Sequence, residues 1–404
     1  MHDTRDPLLM LRTAAAARAA MGLRRELRPR APGPDDMVDL ASNDYLGLAR
    51  NPLVAEAAAA AALQWGTGST GSRLVTGSTE LHARLERALA GFCAAPAALV
   101  FSSGYLANLA TVTALVSALA AGSSSISGGF VVSDAANHAS LIDACRLSRA
   151  RVQVAPHLDV AAVAAALAGR TEPAALVVTE AVFSVDGDLA PLVDLHQVAR
   201  AYGAILVVDE AHSLGVLGPD GRGAVCAAGL AGEPDVVRTV TLSKSLAAQG
   251  GAVLGSDEVI QALIDIGRSF IFDTGLAPPC AGAALAALEM IQAEPDLGGR
   301  TRENAMAIAE LAGGLGLPAS RPAAGVISVI LGSPEEAVRA QRTCAEHGVR
   351  AGCFRPPSVP AGSSCLRLAA RATLTERDFA AISLALTAVR QNIRVGASAG
   401  RRSL

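Results

Sequence analysis

The sequence predicts an α/β fold: a large, mostly parallel, doubly wound sheet domain followed by a smaller C-terminal α/β domain. Three observations carry this. Short apolar, β-branched runs (AALVF, FVVS, VQVA, ALVVT, ILVVD, VVRTVTL and GAVLG) alternate with longer helix-compatible stretches, as strands joined by helical crossovers do. After about Pro278 the alternation gives way to a new pattern. Chemically distinctive polar residues collect directly after the strand runs, where a doubly wound sheet presents its ligand crevice.

Taken in order, residues 1–40 read as an N-terminal helical segment, with a helix from roughly Pro7 to Arg28 followed by the extended VDLASNDYLGL. Residues 41–278 form the large domain. It opens with a helix ending near Trp65 and a Gly/Ser/Thr-rich loop, Gly66 to Ser78, before the strand and helix alternation begins. Residues 279–392 form the small domain: an Ala-rich helix, the strand VISVIL, a helix from about Pro334, the extended VRAGCF and LRLAAR, and a closing helix. Residues 393–404 read as a loose tail, and the chain shows no internal repeat.

The bulk numbers exclude several function classes. At 404 residues, 51% hydrophobic and 18% charged, the chain can bury a sizeable core and does not have a disordered composition. A net charge of −3 leaves no basic footprint for nucleic acid, and the cluster Arg24, Arg25, Arg28 and Arg30 reads as a solvated helix face. Seven scattered cysteines without a CxxC pair argue against a disulfide framework and a zinc site and for a reducing cytoplasm. The N-terminus, interrupted by Arg12 and Arg18, is expected to be neither signal nor anchor. LANLATVTALVSALA lies in a charge-free window from Ala88 to Ser133, but recurring Asn, Thr and Ser make it a buried core helix rather than a membrane span.

Lys244 is the only lysine: 34 Lys+Arg resolve into 33 arginines and one lysine. Arginine supplies positive charge but cannot serve as an amine nucleophile or proton base, because its guanidinium does not deprotonate. Lys244 follows the strand run VVRTVTL, and four other segments contribute polar residues at equivalent places: Ser102 to Tyr105, Asn137 and His138, Glu180 and Ser184, Asp209 and His212. One amine, an acid at a strand end, an imidazole and a small-residue phosphate cradle are the needs of pyridoxal phosphate. Its lysine forms a Schiff base, and an aspartate keeps the pyridinium nitrogen protonated. Asp209 is the candidate acid, with Glu210 turned the other way. Gly104 and Tyr105 open a helix whose free N–H groups suit a phosphate, and Thr241 can add a hydroxyl. The glycines of GTGSTGS follow no convincing strand, so a dinucleotide site is not indicated.

These residues sit within the motifs ASNDYLGL, GTGSTGSRLVTGSTELH, FSSGYLANLA, NHASLIDACRLSRA, TEAVFSVDGDLAPL, VVDEAHSLGVLGPDGRG, TLSKS and FRPPSVPAG. The series, from Leu40 to about Arg371, resembles the α-oxoamine synthases, fold-type I pyridoxal phosphate enzymes that condense an amino acid with an acyl thioester and release CO2. The similarity is greatest to the branch serving biotin biosynthesis, which joins L-alanine to a pimeloyl thioester; glycine-using sisters share every cofactor residue, and a non-catalytic scaffold is the remote alternative.

The resemblance implies roles. Lys244 carries the cofactor and then removes the α-proton. His138 stacks on the ring and assists at the substrate carbonyl. Ser184 and His212 bond the ring hydroxyl, Asp209 the ring nitrogen, and Gly104, Tyr105 and Thr241 the phosphate end. Arg355 clamps the substrate carboxylate, Ser358 lines the acyl site, Arg24 faces the pimeloyl chain, and Asn43 belongs to the substrate site. The family is homodimeric with interfacial sites, so the 66–78 loop and Thr274 are expected to act on the partner's cofactor. No metal, nucleic acid or membrane is implied. The Ser/Gly-rich 122–129 segment departs from the family pattern.

Overall fold

The computed structural model describes residues 6–33, 36–121 and 128–399, with side chains up to Ile393. It contains two sheets. Eleven strands run β1 (Val38–Leu40), β2 (Ala97–Phe101), β3 (Phe130–Asp134), β4 (Arg151–Ala155), β5 (Ala175–Glu180), β6 (Ala204–Asp209), β7 (Val236–Thr241), β8 (Gly251–Gly255), β9 (Val326–Gly332), β10 (Val349–Phe354) and β11 (Ser364–Ala369). The large sheet has the order β2-β8-β7-β6-β5-β3-β4. It is parallel from β7 through β4, and only β8 runs antiparallel, to β7 and to β2. Its central strands β5, β6 and β7 are almost wholly buried, as both faces of a helix-covered parallel sheet must be.

Local chemistry sets the helix starts. Asn51 caps Pro52–Trp65 through Leu53 N with proline at the first turn, Thr79 and His82 form a reciprocal capping box, and Ser256 and Ser333 cap Asp257–Ile266 and Pro334–Glu346. Each satisfies an N–H that the helix leaves unpaired. The charge-free helix Gly104–Ala121 is long and apolar enough to cross a membrane. It instead packs on the large sheet, burying Ala107, Ala110, Val112, Ala114 and Leu115.

Three expectations need correction. The first helix spans Leu9–Ala20 and does not continue to Arg28. Gly22 takes φ +66, Leu23 N bonds Arg18 O and Gly22 N bonds Ala19 O, a Schellman closure that ends the helix. Second, residues 1–40 are not a separate helical segment throughout: β1 pairs in parallel with β10, completing the small sheet β1-β10-β11-β9. Third, the closing helix Glu376–Ala399 runs past the expected break at 393. Its Ile382, Leu386 and Val389 are buried at helical spacing against the small sheet, and that face holds the helix down. Residues 122–127 of the Ser/Gly-rich segment and 400–404 of the tail lie outside the described residues.

Candidate active site

The parallel register brings the strand ends together: Glu180 on β5 pairs with Asp209 on β6, and Asp209 with Thr239 on β7. Beyond them lies a crevice of about 300 Å³ lined by Gly104, Tyr105, His138, Asp209, His212, Thr241 and Lys244, together with Asn108, Ser140, Glu180 and Thr239. Seven residues to which the family resemblance gives a cofactor role therefore share one cavity.

Each is held by a physical constraint. Asp209 Oδ2 accepts from Asn108 Nδ2 at 2.8 Å and Oδ1 from Ala211 N at 2.9 Å, so the carboxylate is fixed in place. Asn108 in turn donates to Ser140 Oγ at 2.8 Å and accepts from Thr239 Oγ1 at 2.6 Å. His138 caps Ala139–Leu147, its Nδ1 accepting from Ser140 N and lying 2.8 Å from Ser140 Oγ. Burial lowers the His138 pKa, with Asp209 opposing and Lys244 assisting.

Lys244 Nζ lies 3.0 Å from His212 Nε2, whose Nδ1 is 2.5 Å from the Tyr45 hydroxyl; that hydroxyl reaches Asn43 Oδ1 at 3.3 Å. The donor order that satisfies all four runs from Nζ to Nε2, from Nδ1–H to the phenol oxygen, and from the phenol to Asn43. It requires a neutral imidazole. Burial, reinforced by Lys244 and Arg367, pushes the His212 pKa well below its ordinary value. Burial likewise draws the Lys244 pKa down to about 8, against the opposing pull of Asp209, so a usable free-amine fraction exists near neutral pH.

The far end of the crevice suits a phosphate. Gly104 opens an 18-residue helix, and a Cβ on Gly251 would meet the Gly104 backbone at 2.5 Å, so glycine keeps this strand close to the helix N-terminus. Unpaired N–H groups, the positive helix end and the Thr241 hydroxyl converge there. The residues present thus fit pyridoxal phosphate: a buried amine, a fixed carboxylate and an anion cradle in one cavity.

Other expected residues lie elsewhere within the chain. Asn43 faces a second cavity of about 480 Å³ that shares Ser243 and Lys244 with the first and adds Arg371. Arg24, Arg355 and Ser358 line a third, of about 820 Å³. Arg355 donates there to the carbonyls of Gly22 and Arg24, so the proposed carboxylate clamp does not face Lys244 in this structure. Ser184 is not on the crevice wall; its N–H bonds Glu180 Oε2 and its carbonyl accepts from Arg367 Nε. Thr274 bridges Ser72, and Gly275 N bonds Gly71 O, so it packs with the 66–78 loop outside the crevice. Sequence reading missed Asn108, Tyr45 and Arg367. A buried arginine inside the apolar run LRLAA was the one available signal.

A family model described as aminotransferase class I and II matches residues 35–383. The chain belongs to that family. A protein of Mycobacterium sp. (strain KMS) described as 8-amino-7-oxononanoate synthase is 58% identical over 373 residues, 92% of this chain and 94% of that protein. One of the same description from Mycolicibacterium smegmatis is 56% identical over 383 residues, 95% of this chain and 97% of the other. Among solved structures, a serine palmitoyltransferase from S. paucimobilis with bound PLP superposes with a TM-score of 0.87 at 28% identity, covering 97% of this chain and all of that one. An 8-amino-7-oxononanoate synthase from Francisella tularensis superposes at 0.75 with 27% identity over 89% of this chain and 98% of the other.

Proposed function

We propose that the chain is a pyridoxal phosphate-dependent acyltransferase of biotin biosynthesis, an 8-amino-7-oxononanoate synthase. It converts L-alanine and a pimeloyl thioester, on CoA or acyl carrier protein, into 8-amino-7-oxononanoate, CO2 and the free thiol carrier. The observation that carries this is the crevice itself: the sole lysine, Asp209, His138, His212 and the Gly104 helix terminus in one cavity, on a chain 58% identical to a relative of that name.

Pyridoxal phosphate bound through Lys244 supplies the electron sink that stabilises a carbanion at the amino acid α-carbon. The chain's own residues do the rest. Asp209 would meet the ring nitrogen with a carboxylate already fixed by Asn108 and Ala211. Gly104, Tyr105 and Thr241 would hold the phosphate, and His138 would cover the ring and orient the acyl carbonyl. Lys244 Nζ would hold the cofactor and, as the free amine, would take the α-proton, and the neutral His212 Nε2 beside it provides an acceptor that keeps the amine aimed into the crevice. His212 would serve the ring hydroxyl, a role that the position of Ser184 off the crevice wall leaves to it alone, and Asn43, Arg24, Arg355 and Ser358 would serve the substrates, the last three once the N-terminal segment that engages Arg355 rearranges.

The reading includes a homodimer in which the 66–78 loop and Thr274 complete the partner's site. Its support is that both pack as one unit outside their own crevice, beside exposed apolar side chains, with Val75 79% and Phe272 71% exposed. A cytoplasmic setting is supported by seven cysteines that are all free thiols.

The test is thiol release from pimeloyl-CoA by the purified, PLP-loaded protein, with L-alanine in one reaction and glycine in another. Release with alanine alone supports the reading. Release with glycine alone moves the chain to a glycine-using sister.

A further inference from the structure

The crevice holds a second acid that the steps above leave unused. Glu180 ends β5, is 2% exposed, and stands in register with Asp209. Their hydrogen-bond partners differ. Asp209 has an N–H donor on each oxygen, Asn108 Nδ2 and Ala211 N. Glu180 Oε2 accepts from Ser184 N at 3.1 Å, and the His138 backbone N–H also faces the carboxyl. Glu180 Oε1, on a residue of the crevice wall, makes no hydrogen bond among the described residues.

The charged and titratable groups nearby do not pair with it directly. Lys244 Nζ contacts His212, and Arg367 on β11 is engaged with Ser184 O, Asn43 and Tyr45. Two carboxyls in one buried pocket do not both ionise readily, and the one with fewer donors keeps the proton. Burial, and then the charge of Asp209, push the Glu180 carboxyl well above its ordinary range, with Lys244 opposing.

Given pyridoxal phosphate in this crevice, as proposed above, we propose that Glu180 is a positioning residue whose protonated Oε1 donates a hydrogen bond to an acceptor on the bound cofactor's ring. The crevice then holds one charged acid, Asp209, and one neutral acid beside it. A neutral carboxyl offers one donor and one acceptor, and so does a primary amide, whereas alanine offers neither.

Glu180→Gln and Glu180→Ala discriminate. PLP would be titrated into the apo forms of both variants and of the wild type, following the cofactor's visible absorbance at neutral and increasingly alkaline pH, with thermal midpoints reporting the fold. The glutamine variant is expected to bind within about threefold of wild type and the alanine variant about tenfold more weakly, the scale of one hydrogen bond. Lys244 titrates in both proteins, so the ratio of wild-type to Glu180→Gln affinity is the readout, and it should fall as the pH rises and Glu180 loses its proton. Equal weakening of both variants, or an alanine variant that binds like wild type, overturns the proposal. If the wild type binds PLP but its affinity relative to Glu180→Gln does not change with pH, the proposal fails while the cofactor assignment stands. A wild type that takes up no PLP removes both.

Discussion

Lys244 shows how far a single residue type can be read. Its uniqueness among 34 basic residues points to amine chemistry, because arginine cannot do it; its surroundings then set how reactive the amine is. Burial brings its pKa from 10.5 to about 8. The sign of the linked stability effect follows. Between about pH 8 and 10.5 the folded chain has released a proton that the unfolded chain still holds, so stability rises with pH across that window. Lys244→Met should abolish turnover and keep the fold. In urea melts of the apo-proteins, the wild type should also gain stability relative to that variant as the pH goes from 7.5 to 10; a difference independent of pH would contradict the depressed pKa. Asp209, His138 and His212 were legible at this scale because each follows an apolar strand run. Asn108 and Arg367 were not. Asn108 meets Asp209 across 101 residues and Arg367 meets Asn43 across 324, and no local pattern records such partners.

At the scale of elements, the strand ends are pinned by a buried ion pair on the side away from the crevice. Glu210, as expected, turns away from Asp209: its Oε2 accepts from Arg238 of β7, and its Oε1 from Ser213 Oγ and Val225 N. Arg238 also donates to the carbonyls of Cys93 and Arg222, and both side chains are almost fully buried. Removing one partner leaves an uncompensated charge in the interior. Arg238→Leu and Glu210→Gln should therefore each cost about 3–5 kcal/mol, read as lower denaturant midpoints, since the first strands the Glu210 carboxylate and the second strands the Arg238 guanidinium, which cannot shed its charge. Equal and small losses would mean that solvent reaches the pair. The elements themselves were nearly all visible in the sequence, since β-branched runs and N-cap residues act over a few neighbours. The first helix was overextended because Arg24, Arg25 and Arg28 are good helix formers, while the left-handed Gly22 that stops it was not read as a terminus.

For the molecule as a whole, the isolated chain accounts for one cofactor crevice and leaves a loop unit, 66–78 with Thr274, that does not contribute to it. Leu74, Val75 and Phe272 are exposed there, more apolar surface than solvent-facing loops need. Val75→Asp combined with Phe272→Asp should shift the species seen in light scattering toward monomer and lower turnover at nanomolar protein. A double variant that remains a fully active dimer would place the subunit contact elsewhere.

Sequence alone sufficed for the α/β alternation and for which strand-end residues gather at one edge of the large sheet, Lys244, Asp209, His138, His212 and Gly104 among them. These follow from periodicity and residue type, which are local and additive. The tertiary structure decided what depends on pairing at long range: β1 joining β10 across more than 300 residues, the clamp of Asn108 on Asp209, the His212–Tyr45–Asn43 relay behind Lys244, and the arrest of Arg355 against the N-terminal segment. Such contacts become favourable only after folding has removed the chain entropy that separates them, so no stretch of sequence carries them alone.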